Sequence, residues 1–514
     1  MADITEPGAT TGRSNDGKHS KISRTAGGKG MHRRRFLGGM AGVGLGAVAG
    51  AGAAFSLLTE AGRSRASAAT NTATLTVPDL LEGTTSDGTT TFTLEAKTGT
   101  AEVLAGVTSD TMGYNQSFLG PTMKWTNGDT VLLNITNSLG EDTTVHFHGA
   151  HVPAKMDGGP QVAFADGETW SPTFTVKDEA KTLWYHPHAL GTTAKQAVHG
   201  LAGMILVEDD STASSDLPST YGTDDIPLIF QSLATDSAGA LKYDLTGYLS
   251  SGLSFPLLLN GTNVDDTTLT FTATKTRTRF RVLNASPSDI ITIQRSDGGN
   301  LDQIATDQGY LTAATEVTSI RLVAGARAEF VLDLSDAVTL QAVVTTGWVR
   351  GGSGTYDVLA ITASGTDTPD DLPSSLNTID RYDTSDFTAR TITLGQSGTS
   401  MTIDGSVGTS MSSMAMISTT LGSKEIWTIK NNTQLEHSFH LHDVPYQLVS
   451  INGEDPTGVD LGWFDTYEVV GGGTIKIAME FTDFSDDTYM YMLHCHLLQH
   501  EDEGMMASLM VTES

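Results

Sequence analysis

Long stretches of helical periodicity are scarce along this chain, and its apolar residues fall instead into short runs bounded by turn residues. Thr130-Val-Leu-Leu-Asn-Ile-Thr136, Thr143-Thr-Val-His-Phe-His148, Lys181-Thr-Leu-Trp-Tyr-His186, Thr278-Arg-Phe-Arg-Val-Leu-Asn284 and Ala328-Glu-Phe-Val-Leu-Asp333 are rich in β-branched and aromatic residues. Such runs read as strands. Gly is abundant and Thr and Val are frequent, which also favours an all-β chain. A Ser/Thr/Asp-rich segment, Asp209 to Asp225, and another with Pro369 and Pro373, Thr366 to Arg381, read as linkers. The expected domains are therefore residues 69–208, 226–365 and 382–514, within the capacity of a 514-residue chain.

An internal repeat supports this division. Asn134-Ile-Thr-Asn137 followed by His146-Phe-His148 is echoed by Thr428-Ile-Lys-Asn431 followed by His437-Ser-Phe-His-Leu-His442. His186-Pro-His188 with Gly200 to Val207 is echoed by His494-Cys-His496 with Gly504 to Val511. The middle segment keeps the strand Arg281-Val-Leu-Asn-Ala285 but contains no histidine, so it reads as a spacer between two metal-bearing domains.

The most informative stretch is Tyr491-Met-Leu-His-Cys-His-Leu-Leu-Gln-His500, continuing to Met505, which holds the only cysteine. After the strand-like Thr488 to Leu493, side chains alternate faces, so His494 and His496 point one way and Cys495 the other. His500 and Met505 follow five and ten residues after Cys495. A thiolate, an imidazole and a thioether make up most of a His₂Cys site with a weak axial Met, the donor set of blue copper. The two histidines on the other face imply a second metal centre, joined to the first by adjacent covalent bonds.

Of fourteen histidines, ten fall into four clusters: 146/148, 186/188, 437/440/442 and 494/496/500. Each His-x-His on a strand places two imidazoles about 7 Å apart on one face, which suits bridging neighbouring ions rather than chelating one. His151 and His199 stand outside the clusters and read as structural.

Near the start, Arg33-Arg34-Arg35-Phe36-Leu37, a weakly apolar run from Gly38 to Leu58 and Ala66-Ser67-Ala68 resemble a twin-arginine export signal with its cleavage site. Residues 1–68 are thus expected to engage the twin-arginine machinery and be removed, leaving an extracellular or cell-envelope protein without stable membrane insertion. Removing them takes away ten Lys/Arg and four Asp/Glu, leaving 20 basic against 56 acidic residues, a net charge of −36. That charge argues against nucleic-acid binding. A lone cysteine in an oxidising compartment can form no internal disulfide, so its thiol needs another purpose.

His-Phe-His-Gly at 146–149, Trp-Tyr-His-Pro-His at 184–188, His-x-x-His-x-His at 437–442 and His-Cys-His-x₃-His-x₄-Met at 494–505 resemble the multicopper oxidases, the family of laccases, bilirubin oxidases and bacterial cuprous oxidases. Leu258-Leu-Asn-Gly261 and Asp307-Gln-Gly-Tyr-Leu311 extend the resemblance through the middle segment. It implies three consecutive cupredoxin-like Greek-key β-barrel domains and four copper ions. Type 1 copper would take His437, Cys495, His500 and axial Met505, and type 2 copper His146 and His440. The type 3 pair would take His148, His186 and His496 on one ion and His188, His442 and His494 on the other. Asp443 departs from the glycine common after His-x-His, and Met506 offers a second thioether beside Met505.

The resemblance further implies one-electron oxidation of a small reductant, electron transfer through Cys495 to His494 and His496, and reduction of dioxygen to water. Asp157 and Glu501 resemble the family's acidic proton relays; otherwise Asp157 caps a turn and Glu501 is a solvated charge. The leading expectation is a monomeric, laccase-like oxidase of phenols or aromatic amines. Cuprous oxidase, bilirubin-oxidase-like and copper-free structural readings are alternatives. Met401, Met411, Met414 and Met416 are too few for the long Met-rich insertions of cuprous oxidases and read as core filling.

Overall fold

The computed structural model describes residues 71–211, 216–243, 253–346, 354–369 and 371–513. Residues 1–68, expected to act as an export segment, lie outside the described residues. Among those described, no helix is long and apolar enough to cross a membrane.

Among the described residues the strands pair into six sheets, two in each third of the chain. In the first third, one sheet runs in the order Leu80–Leu81, Thr122–Thr126, Gly203–Glu208, Lys181–His186, His146–His148. In the last third, the corresponding order is Ala415–Thr420, Met506–Thr512, Tyr491–Cys495, His437–Leu441, Thr466–Val469. The first of these sheets opens with two parallel pairings, Leu80 beside Thr122 and Ile205 beside Met123, and the last with one, Ala415 beside Ala507, each ahead of an antiparallel ladder. The sequence repeat thus corresponds to a repeated strand order. Each third has its own apolar core, centred on Trp125 and Phe147, on Phe280 and Phe330, and on Trp427 and Phe439.

Register brings the histidines of neighbouring strands side by side. His146 pairs with His186 and His148 with Trp184. His440 pairs with His494, and Phe439 with Cys495. Two short helices, Thr193–Val198 and Leu498–Asp502, pack through Ala194, Ala197 and Leu498. The Asp502 carboxylate accepts the backbone N–H of Thr193 and Ala194 at 3.1 and 3.0 Å, tying the first third to the last.

Several element boundaries differ from expectation. The strand Asn71–Thr74 pairs with Thr267–Thr270 of the middle segment, and Leu75 enters the middle core, so residues 71–75 add a strand to a sheet of the middle third. Asp225 opens the strand Asp225–Ser232 instead of ending a linker, because its carboxylate takes two hydrogen bonds, of 2.7 and 2.8 Å, from buried Arg281. The strand expected from Thr143 is confined to His146–His148. The Thr143 hydroxyl donates to Gln196 and Thr144 accepts from the His188 N–H, so their polar groups serve packing around the histidines.

Candidate metal centre

The twelve residues singled out as copper donors lie buried at the meeting of the first and last thirds. Ligand-capable atoms of His437, Cys495 and His500 lie within 4.8 Å of one another, with Cys495 Sγ 3.5 and 3.6 Å from the two Nδ1 atoms. Cys495, Leu493 and Tyr491 face the third core, as alternation requires.

On the other side of the strand, the remaining eight histidines converge. Three all-histidine groups satisfy the same 4.8 Å limit, His146/His148/His440, His148/His186/His496 and His188/His442/His494, and a further group joins Asp157 to His146 and His442. His188 Nε2 and His442 Nε2 lie 3.1 and 3.2 Å from His494 Nε2. His146 stacks on His442, and His148 on His440, each pair taking one ring from either end of the chain.

The donor chemistry fits bound metal. His146 Nε2, His148 Nδ1, His186 Nε2, His440 Nε2 and both nitrogens of His496 are buried without hydrogen-bond partners. An orphaned polar atom inside a protein costs free energy, and metal coordination satisfies it. The opposite ring nitrogens are held: His146 Nδ1 at 2.8 Å from the Asp157 carbonyl, His440 Nδ1 at 3.0 Å from the Asp465 carbonyl, His186 Nδ1 at 2.8 Å from the Pro187 carbonyl. Such contacts fix ring orientation and tautomer in metal sites. Burial lowers His188 and His494 to about 3 and His440 to about 4, leaving neutral imidazoles able to ligate. Burial pushes the Cys495 thiol up to about 12, so a bound cation is what would hold it as thiolate.

The two methionines separate by face. Met505 packs in the same core as Cys495, and its N–H donates to the His500 carbonyl at 2.7 Å. Met506 stands opposite His494 and packs instead with Met414 and Met492. Asp157 is 1 % exposed and its Oδ2 lies 2.7 Å from His442 Nδ1, and Glu501, also 1 % exposed, lies 3.4 and 3.2 Å from His188 and His494 Nδ1. Glu501 is therefore no solvated surface charge, and burial raises its pKa. Asp157 does more than cap a turn, since its side chain holds a histidine.

Outside the cluster, His199 Nδ1 is 2.7 Å from the Lys195 carbonyl, a local helix contact. His151 sits between Asp443 Oδ1 at 2.8 Å and Asp483 Oδ2 at 3.1 Å. Asp443 adopts φ 71°, which explains why glycine suits its position. Sequence reasoning missed Asp465 and Arg327. Asp465 Oδ1 is 3.2 Å from His148 Nε2, and its two oxygens take 2.7 and 2.6 Å hydrogen bonds from Arg327.

A buried His/Cys cluster of this composition, on two repeated β-domains with a third between them, defines a copper-protein class. Multicopper oxidase family models match residues 95–212 and 371–514. The multicopper oxidase mco of Staphylococcus aureus is 32 % identical over 430 residues, covering 82 % of this chain and 88 % of that protein. The cell division protein FtsP of Escherichia coli strain K12 is 31 % identical over 422 residues, covering 79 % and 86 %. The crystal structure of a laccase from Pediococcus acidilactici Pa5930 superposes with a TM-score of 0.77 at 27 % identity, covering 86 % of this chain and 94 % of that one. The chain belongs to the multicopper oxidase family, with its cupredoxin-like all-β fold. Family membership implies copper, a reductant and dioxygen.

Proposed function

We propose that this protein is a laccase-like oxidase that couples one-electron oxidation of phenols or aromatic amines to four-electron reduction of dioxygen to water. The observation that carries this reading is the placement of Cys495 in one donor group while its neighbours His494 and His496 belong to two others. His437, Cys495, His500 and Met505 would hold type 1 copper, His146 and His440 type 2, and His148, His186 and His496 with His188, His442 and His494 the type 3 pair. The four ions, when bound, supply the one-electron oxidation of reductant and the reduction of dioxygen.

The chain's own residues supply the rest. Cys495 joins the two centres through single peptide bonds to His494 and His496. Burial of the cluster keeps bulk water from it. Four protons must reach each dioxygen, and Asp157 touches His442 while Glu501 touches His188 and His494, where each would pass a proton inward. The chain would work as an exported monomer, a reading that rests on residues 33–37, the small-residue site at 66–68 and the acidic remainder.

A second reading, oxidation of Cu(I), is favoured by one observation. Met414, Met492 and Met506 are buried together, with Met411 and Met490 packed against them, a concentration of soft thioethers. Met401 lies instead in the third core, and Met416 is 61 % exposed. The complete donor set disfavours a copper-free structural role.

Oxygen uptake by copper-loaded protein decides between the readings. A phenolic substrate should turn over without added copper, about four molecules per dioxygen, as the electron count of that reduction requires. Met411→Leu/Met414→Leu/Met416→Leu should leave that rate within a few-fold. Phenol oxidation only in excess copper, with Cu(I) oxidation abolished by the triple substitution, would replace the laccase reading with the cuprous one.

A further inference from the structure

We propose that Arg327 and Asp465 are a positioning pair for the histidine cluster, so that the middle domain is a working part of the copper site and not a spacer. This rests on the cluster holding copper, as proposed above. Arg327 comes from the histidine-free middle domain, on the strand Arg327–Asp333, and its side chain is fully buried. Its guanidinium reaches all three parts of the chain. Nε donates to the Thr182 carbonyl at 3.0 Å in the first, Nη2 to the Asp307 carbonyl at 2.9 Å in the middle, and both Nη atoms to the Asp465 carboxylate in the last.

Asp465 transmits that anchoring to the histidines. Its Oδ1 accepts from His148 Nε2 at 3.2 Å, and its carbonyl accepts from His440 Nδ1 at 3.0 Å. With Nε2 engaged by Asp465 and Thr466, His148 keeps Nδ1 without a partner, within the group it forms with His186 and His496. A bidentate Arg–carboxylate pair fixes the carboxylate plane as well as its position, which a single donor would not do. The middle domain touches the cluster at a second point. A Cβ added to Gly325, two residues before Arg327, would lie 2.9 Å from the ring of His496. The Gly325 backbone therefore forms a wall against one histidine while Arg327 sets another.

Asp465→Asn keeps the shape of the side chain but removes the charge that Arg327 grips, and Arg327→Lys keeps the charge but loses the fork. Both are compared with wild type in full-length, copper-loaded protein, so the test stands if one variant fails to fold. The readouts are copper released to a chelator, the type 2 EPR hyperfine splitting and the blue absorption. Loss of a contact that orients a ligand typically weakens metal retention by about 10–100-fold. The expected result is release of cluster copper faster by that factor, with altered type 2 splitting and unchanged blue colour. Wild-type retention and splitting in the variants, or loss of blue colour in step with cluster copper, would overturn the proposal. Absence of copper from wild type itself would overturn the oxidase reading instead.

Discussion

Replacing His151 with Gln tests the electrostatics at the junction of the first and last thirds of the chain. His151 is 13 % exposed at its side chain and lies between Asp443 and Asp483, with its N–H also 3.2 Å from Asp178. Burial works against its charge, but Asp443, Asp178 and Asp483 together raise it from 6.5 to about 9. That change corresponds to about 3 kcal/mol of folding free energy. Asp443 is itself held up at about 6, chiefly by burial and with Asp157 and Asp178 adding to the effect, while His151 pulls it down. The imidazolium thus gains from three carboxylates together. Because the folded value lies above the unfolded one, the stabilisation is full below pH 6.5 and is lost as pH rises through about 9. Protonation of Asp443 below about 6 removes part of the attraction on the acid side. Urea unfolding of wild type and His151→Gln across this range should give a gap in stability largest near pH 6.5, up to about 3 kcal/mol, and closing by pH 9.5. A gap that stays constant or widens between those values would refute the reasoning.

Two further predictions concern the copper centres. Met505→Leu should raise the type 1 reduction potential while the blue colour persists, because a weak donor to the oxidised ion is lost; a rise seen only in Met506→Leu would show the axial position misassigned by one residue. Asp157→Asn should leave reduction of the type 1 site by substrate fast but slow reoxidation by dioxygen by about 100-fold or more; wild-type reoxidation would restrict Asp157 to holding His442.

The clustering of the candidate donor residues was legible in sequence because each belongs to a short motif whose spacing carries geometry. His-x-His on a strand fixes the face, and Cys495 between His494 and His496 fixes two faces at once. The all-β fold was legible in the same local signals. What sequence could not reveal depended on pairs far apart in the chain. Arg327 and Asp465 are separated by 138 residues, and neither lies in a ligand-like pattern. Met492 and Met506, on two paired strands, join Met414 only because the bend ahead of Ala415–Thr420 folds back onto them. His151 and Asp443, read separately as a structural histidine and a departure from glycine, are one ion pair. Strand ends failed where side chains such as Asp225 and Thr144 found distant partners that local propensity cannot anticipate.

Metal analysis of wild type beside Cys495→Ser, with visible spectra of both, tests the copper assignment most directly. Wild type should be blue and carry four copper ions per chain, and the variant should be colourless, folded and short of the type 1 ion alone. A wild-type protein without copper, or a blue Cys495→Ser protein, would contradict the assignment.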